Sequence, residues 1–143
     1  MGTVPAGNAR PPLHLLAAES DRVASLALQI EYRNPAIATM LLEEIERAEL
    51  HEPETLPPQA ITIGSQVDFV DEGSRQMRSV ELVYPALANI ALGRISILTP
   101  MGAALYGLTA GQVIDWPDIE GHERRIRILR VQQPFLGEPP GAA

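Results

Sequence analysis

Apolar residues recur every three or four positions through residues 18–50 and every second position through much of residues 65–131. In the segment AESDRVASLALQIEY, Val23, Leu26, Ala27 and Ile30 form one stripe, which predicts an amphipathic helix from about Ala18 to Tyr32. Asn34-Pro35 then reads as a helix start, because Asn caps well and a proline loses nothing in the first turn. The following PAIATMLLEEIERAEL places Ile37, Leu41, Ile45 and Ala48 on one face, with Glu43 and Arg47 as an i,i+4 ion pair on the other. Two amphipathic helices joined by so short a turn pack antiparallel, so residues 18–50 are expected to form a helical hairpin.

HEPETLPPQA, with three prolines in ten residues, ends the helical region. Beyond it the period becomes two. Five runs, SQVDFV, RSVELVY, GRISILT, GQVIDW and RRIRILRV, read as strands of one antiparallel sheet. Their inward positions include Val67, Phe69, Val80, Leu82, Tyr84, Ile95, Ile97, Ile126, either Ile128 or Leu129, and Val131. Between the third and fourth runs, MGAALYG is too apolar for a loop and too alanine-rich for a strand. It predicts a short helix ending at Gly107, which can take a left-handed conformation. The fold class is α+β with segregated layers.

Composition narrows the function classes. Hydrophobic residues make up 45% of 143, which suits a packed domain, and no apolar run is long enough to span a membrane. The first residues lack the charged start and apolar stretch of a secretory signal, and there is no cysteine, so a cytoplasmic protein without disulfides or thiolate metal sites is expected. The net charge is −7. Residues 1–60 hold nine acids and four arginines, residues 61–143 nine acids and seven arginines. Such a chain lacks the cationic footprint that autonomous nucleic-acid binding requires. Every basic residue is arginine, which rules out mechanisms built on a lysine Schiff base or phosphate-binding lysine.

Candidate chemistry is sparse. Gly102 and Gly107 have the spacing of a phosphate-binding loop, but Leu108-Thr109 follow where lysine and Ser/Thr are needed, and the dinucleotide glycine pattern is absent. The glycines read as turn and cap residues. His14, His51 and His122 form no ligand-spaced pair, so a metal site would need a tertiary coincidence. No serine sits in a nucleophile elbow. The acids Glu43, Glu44, Glu46 and Glu49 read as a solvated face, and Trp116 as a core or rim aromatic. No catalytic residue, cofactor site or metal site is expected; an interaction module is.

The stretch GRISILTPMGAALYGLTAGQVIDW resembles the hallmark of the C-terminal domain of the Gre transcription elongation factors. Ile95-Ser96-Ile97, Pro100, Gly102, Ala104-Leu105, Gly107 and Gly111 fall in place, while Gln112 replaces the usual Asp. LPPQAITIGSQVDFVDE and VELVYPALAN are similar to the Rnk branch of that superfamily, the regulators of nucleoside diphosphate kinase, and the likeness spans roughly residues 15–135. It implies a flexible N-terminus (1–14), a helical hairpin (15–52), an FKBP-like C-terminal domain (53–136) and a flexible tail (137–143). It also implies docking on RNA polymerase at the rim of the secondary channel through Leu98, Thr99, Pro100 and Met101. The hairpin turn Glu31, Tyr32, Arg33 and Asn34 would then point into the channel. Gre fingers carry paired acids at that turn. Here it reads EYRNP, on helices of only about 22 Å, so the transcript-cleavage chemistry is expected to be missing. The alternatives are a direct action on nucleoside diphosphate kinase and, from the fold alone, a peptidyl-prolyl isomerase, which the six aromatics of the chain disfavour.

Overall fold

The computed structural model describes residues 11–117 and 123–134. The terminal segments expected to be flexible lie outside these residues, apart from positions 11–14. The chain enters through a three-residue strand, β1 (His14–Leu16), and turns at once into helix α1 (Ala17–Gln29). Helix α2 (Pro35–Arg47) follows, then a second short strand, β2 (Glu49–His51), which pairs parallel to β1. Neither short strand is visible in the hydrophobic period, since three residues carry no alternation. Leu13 and Leu15 are nonetheless fully buried, so ordered structure begins ahead of the expected boundary at residue 15.

The two helices form where the apolar stripes predict, and they touch one another. Val23 and Ala27 of α1 and Ile37, Ala38 and Leu41 of α2 are buried. Asn34 caps α2 as expected, its side-chain oxygen accepting from the Ile37 N–H at 3.4 Å, with Pro35 at the first helical position. The ion pair on α2 differs from the expected one. Arg47 pairs with Glu44 (2.9 Å), not Glu43, and its other amine donates to the Pro11 carbonyl at 2.8 Å. Glu44 is buried, so of the supposedly solvated acids one is a structural partner, and Glu49 belongs to β2 rather than to the helix.

The main sheet has strands β3 (Gln66–Asp71), β4 (Gln76–Val83), β5 (Arg94–Ser96), β6 (Val113–Pro117) and β7 (Glu123–Gln132), ordered β5-β4-β3-β7-β6. All five expected strands exist, but the sheet is mixed. β5 pairs parallel to β4, with Leu82 opposite Ile95, because two 3₁₀ turns (Pro85–Leu87, Ile90–Leu92) carry the chain back before it re-enters. A bulge in the β3–β7 ladder skips Leu129, which shifts the phase so that Ile126, Ile128 and then Val131 all face inward.

Helix α3 (Pro100–Leu105) sits between β5 and β6, and Ala103, Leu105 and Tyr106 are fully buried. Two glycines permit this seat. A Cβ on Gly102 would lie 2.1 Å from the Ser96 carbonyl oxygen. Gly107 adopts φ +85°, and a Cβ there would also strike Leu15 Cδ2 at 2.7 Å. The Gly107 N–H donates to the Ile61 carbonyl, and its own carbonyl accepts from His14, so one residue joins three segments. Both helices, β1 and the sheet contribute to a single continuous core.

The obstacle at Gly102 is backbone rather than a movable side chain. Gly102→Ala should therefore destabilise the protein by about 3 kcal/mol or more, read from urea unfolding. Gly107→Ala, where Leu15 can shift but φ stays positive, should cost less, about 1–2 kcal/mol.

Candidate functional site

Two groups of residues carry the expected contacts with a partner, and the fold treats them differently. At the entry to α3, Thr99 is the N-cap: its hydroxyl oxygen accepts from the Gly102 N–H at 3.0 Å and donates to the Ser96 carbonyl at 2.7 Å. Ser96 in turn accepts from the Leu98 N–H at 3.0 Å. Leu98 and Met101 are half-buried against the core, whereas Pro100 stands exposed at the first helical position. Of the four expected docking residues, three build a rigid corner and Pro100 is the exposed one.

The turn between α1 and α2 is the opposite case. Glu31, Tyr32, Arg33 and Asn34 are all exposed, Tyr32 by 85%. The Ile30 carbonyl accepts from both Arg33 (2.9 Å) and Asn34 (2.7 Å), which closes the turn tightly. Glu31 is its single acid. One carboxylate supplies at most two of the six or so oxygens a hard divalent cation takes, and an adjacent guanidinium repels the ion. Among the described residues no hydrogen bond or ion pair joins this turn to the Pro100 corner.

Sequence reasoning missed three features. Leu87, Ile90 and Leu92, exposed by 60%, 85% and 63%, stand on the connection that leads into β5. A three-residue strand rises only about 10 Å, so this apolar segment and Pro100 flank the same edge strand. The signal is present in PALANIAL, an apolar run bounded by Pro85 and Gly93 that is too short to be a buried helix. The second feature is the approach of His14 to His51, 37 residues apart in the chain. The third is a cleft of about 390 Å³ lined by Leu16, Glu19, Arg22, His51, Ile63 and Tyr84, among others.

Glu19 lies in the wall of that cleft, in the first turn of α1. Its carboxylate accepts from the Ile63 N–H at 3.2 Å. Burial nevertheless outweighs this bond and the attraction of Arg22, and pushes its pKa from 4.5 up to about 7. The neighbouring Tyr106 hydroxyl is buried, and burial together with the Glu19 carboxyl beside it holds it far above the ordinary phenol range. The Arg22 guanidinium lies over the Tyr84 ring, 5.6 Å from its centre.

Comparison with known proteins places this geometry in a family. The profile described as "Transcription elongation factor, GreA/GreB, C-term" matches residues 56–133, the span that holds the five-stranded sheet and α3. The chain belongs to the GreA/GreB family. Among its relatives, the regulator of nucleoside diphosphate kinase from Escherichia coli K12 is 31% identical over 123 residues, covering 86% of this chain and 90% of the relative. The transcription elongation factor GreA of Acidiphilium cryptum is 33% identical over 92 residues, 64% of this chain and 58% of that protein. In structure, a GreA/GreB elongation factor from Nitrosomonas europaea superimposes with a TM-score of 0.70 at 33% identity, covering 86% of this chain and 99% of the other. These likenesses reach beyond the family profile, so they include part of the segment before residue 56. They make the protein a regulator of the transcription elongation factor type. Within the described residues no helix is long and apolar enough to cross a membrane.

The raised Glu19 carboxyl has a consequence for stability. Below pH 4.5 it is protonated in both folded and unfolded chains and carries no penalty. As pH rises from 4.5 to 7 the unfolded chain releases this proton first, so the folded state loses stability, and above 7 the loss is complete. Relative to Glu19→Gln, the wild type should lose as much as about 3 kcal/mol across that window, measured by urea unfolding at a series of pH values. A constant difference between the two proteins would show that Glu19 ionises normally.

Proposed function

We propose that this protein is a non-catalytic regulator that binds RNA polymerase near the secondary channel. The sheet with α3, which we read as an FKBP-like docking domain, makes the contact at the rim, and the α1–α2 pair, acting as a short antiparallel hairpin, points its turn inward. The observation that carries the reading is the Pro100 corner. It is capped by Thr99, fixed in φ by proline, and flanked across β5 by exposed Leu87, Ile90 and Leu92, all inside the part matched to the GreA/GreB family. A rigid exposed proline loses little freedom on binding, and exposed apolar residues around it supply area for an interface core. The acidic charge of the chain favours a protein partner over nucleic acid. A cytoplasmic location follows from this partner.

Catalysis of transcript cleavage is absent from this reading. Each helix of the pair has 13 residues, about 20 Å of reach, and the turn offers Glu31 beside Arg33 rather than an acid pair. A second reading rests on the name of the E. coli relative, a regulator of nucleoside diphosphate kinase. In it, the same corner would contact that kinase or the effect would run through the kinase level.

Pro100→Asn should weaken binding to core RNA polymerase by about 1–3 kcal/mol, roughly 5- to 150-fold in Kd, with unchanged thermal stability. Ile90→Asp should act in the same direction, while Tyr32→Ala should alter activity in the channel more than affinity at the rim. Unchanged affinity in both Pro100→Asn and Ile90→Asp would remove the docking surface and move the kinase reading ahead. In a backtracked elongation complex with magnesium, the wild-type protein should leave the transcript uncut. Cleavage at the rate of a GreA factor would overturn the non-catalytic assignment.

A further inference from the structure

β1 and β2 pair in parallel with His14 opposite Glu49 and Leu16 opposite His51. Residues two apart on a strand share a face, so Glu49 and His51 project on the side from which His14 also projects. The result is a cluster of three side chains. His14 Nδ1 lies 3.0 Å from His51 Nε2, His51 Nε2 lies 3.3 Å from Glu49 Oε2, and one ligand atom from each residue fits within 4.8 Å of the other two. We propose that His14, His51 and Glu49 form a binding site for a divalent transition metal of the zinc class.

Three observations support this assignment. First, ligand bonds of 2.0–2.1 Å at tetrahedral angles put neighbouring donor atoms about 3.3 Å apart. Two of the three edges already have nearly that length, and Glu49, whose side chain is 66% exposed, is free to rotate and shorten the third. Second, His51 Nε2 faces both the His14 ring nitrogen and the Glu49 carboxylate, and one ring nitrogen cannot at once accept from the first and donate to the second. A cation satisfies all three atoms together.

Third, the far side of His51 is arranged as a metal-bound imidazole requires. Its Nδ1 is 3.1 Å from Thr55 Oγ1, which lies 3.4 Å from the Glu52 carbonyl. With the metal on Nε2, the hydrogen is fixed on Nδ1 and donates to Thr55, and the threonine hydroxyl donates onward to Glu52. This is the outer partner that orients a ligating histidine. Two imidazoles and a carboxylate select zinc, nickel, copper or iron(II) over magnesium or calcium. The side-chain exposure of Glu49 leaves the fourth position to water. Because residues 14 and 51 bracket both helices, a bound ion would close the base of the α1–α2 pair and hold β1 against β2.

Calorimetric titration of the full, untagged chain with zinc chloride tests the site. One equivalent should bind with a Kd in the micromolar range or tighter, and excess zinc should raise Tm by about 5 °C or more. Magnesium chloride should do neither. His14→Ala and His51→Ala should each weaken binding at least tenfold, with His122→Ala unchanged. Since His51 is buried enough for its loss to disturb the fold, two further measurements stand apart from it. Glu49→Gln, at an exposed position, should weaken zinc several-fold at unchanged Tm of the metal-free protein. Cobalt(II) should give the intense visible absorption of a four-coordinate centre. No saturable zinc binding, equal affinity in the His14→Ala/His51→Ala double variant, or a weak six-coordinate cobalt spectrum would overturn the proposal and leave the histidines as a hydrogen-bonded pair.

Discussion

The carbonyl of Ser96 and the α-carbon of Gly102 approach so closely that a single added methyl would lie 2.1 Å from the oxygen. That contact fixes where α3 begins, and much of the molecule is positioned from α3. At its start, Thr99 and Ser96 lock the corner that presents Pro100. At its end, Gly107 bonds to Ile61 on one side and His14 on the other, which brings β1 alongside. β2 then pairs with β1 through the Leu13 carbonyl and the Glu49 N–H as well as the strand register. A backbone contact near residue 100 thus determines how a histidine at position 14 meets one at position 51.

The charges divide by role. On the sheet, Arg124, Arg125 and Arg127 pair with Asp71, Asp115 and Glu72, all partly or largely exposed. Such surface pairs add little stability each. They do neutralise much of the arginine charge at the start of β7 and its neighbours. Arg47 is different in kind. It joins Glu44 to the Pro11 carbonyl and so ties the entering chain to α2.

The proposed docking surface and the cleft around Glu19 place different demands on the fold. A docking corner gains from rigidity, and its polar groups are satisfied internally so that the exposed atoms are mainly apolar. The cleft instead carries in its wall a carboxyl held above its normal range by burial. A buried carboxyl of this kind costs stability once it ionises.

How much of this was legible in the sequence follows from the range of each interaction. The helices, the Asn34 cap and the short helix rest on contacts within a few residues, and the five strands show themselves by alternation along each run, so periodicity and capping chemistry expose them directly. The resemblance of the 95–111 motif extended that reading to the family and to Pro100. What the sequence left open was set by pairing across long stretches of chain. Whether β5 runs parallel or antiparallel to β4 depends on the two turns between them. Arg47 chose Glu44 over Glu43 because Pro11 lies on that side of the helix. The strands β1 and β2 are too short to show a period, and they exist because Leu13 and Leu15 are buried and Gly107 supplies a hydrogen-bond partner. His14 and His51 consequently look unrelated along the chain, and only the packing of two three-residue strands sets their nitrogens 3.0 Å apart.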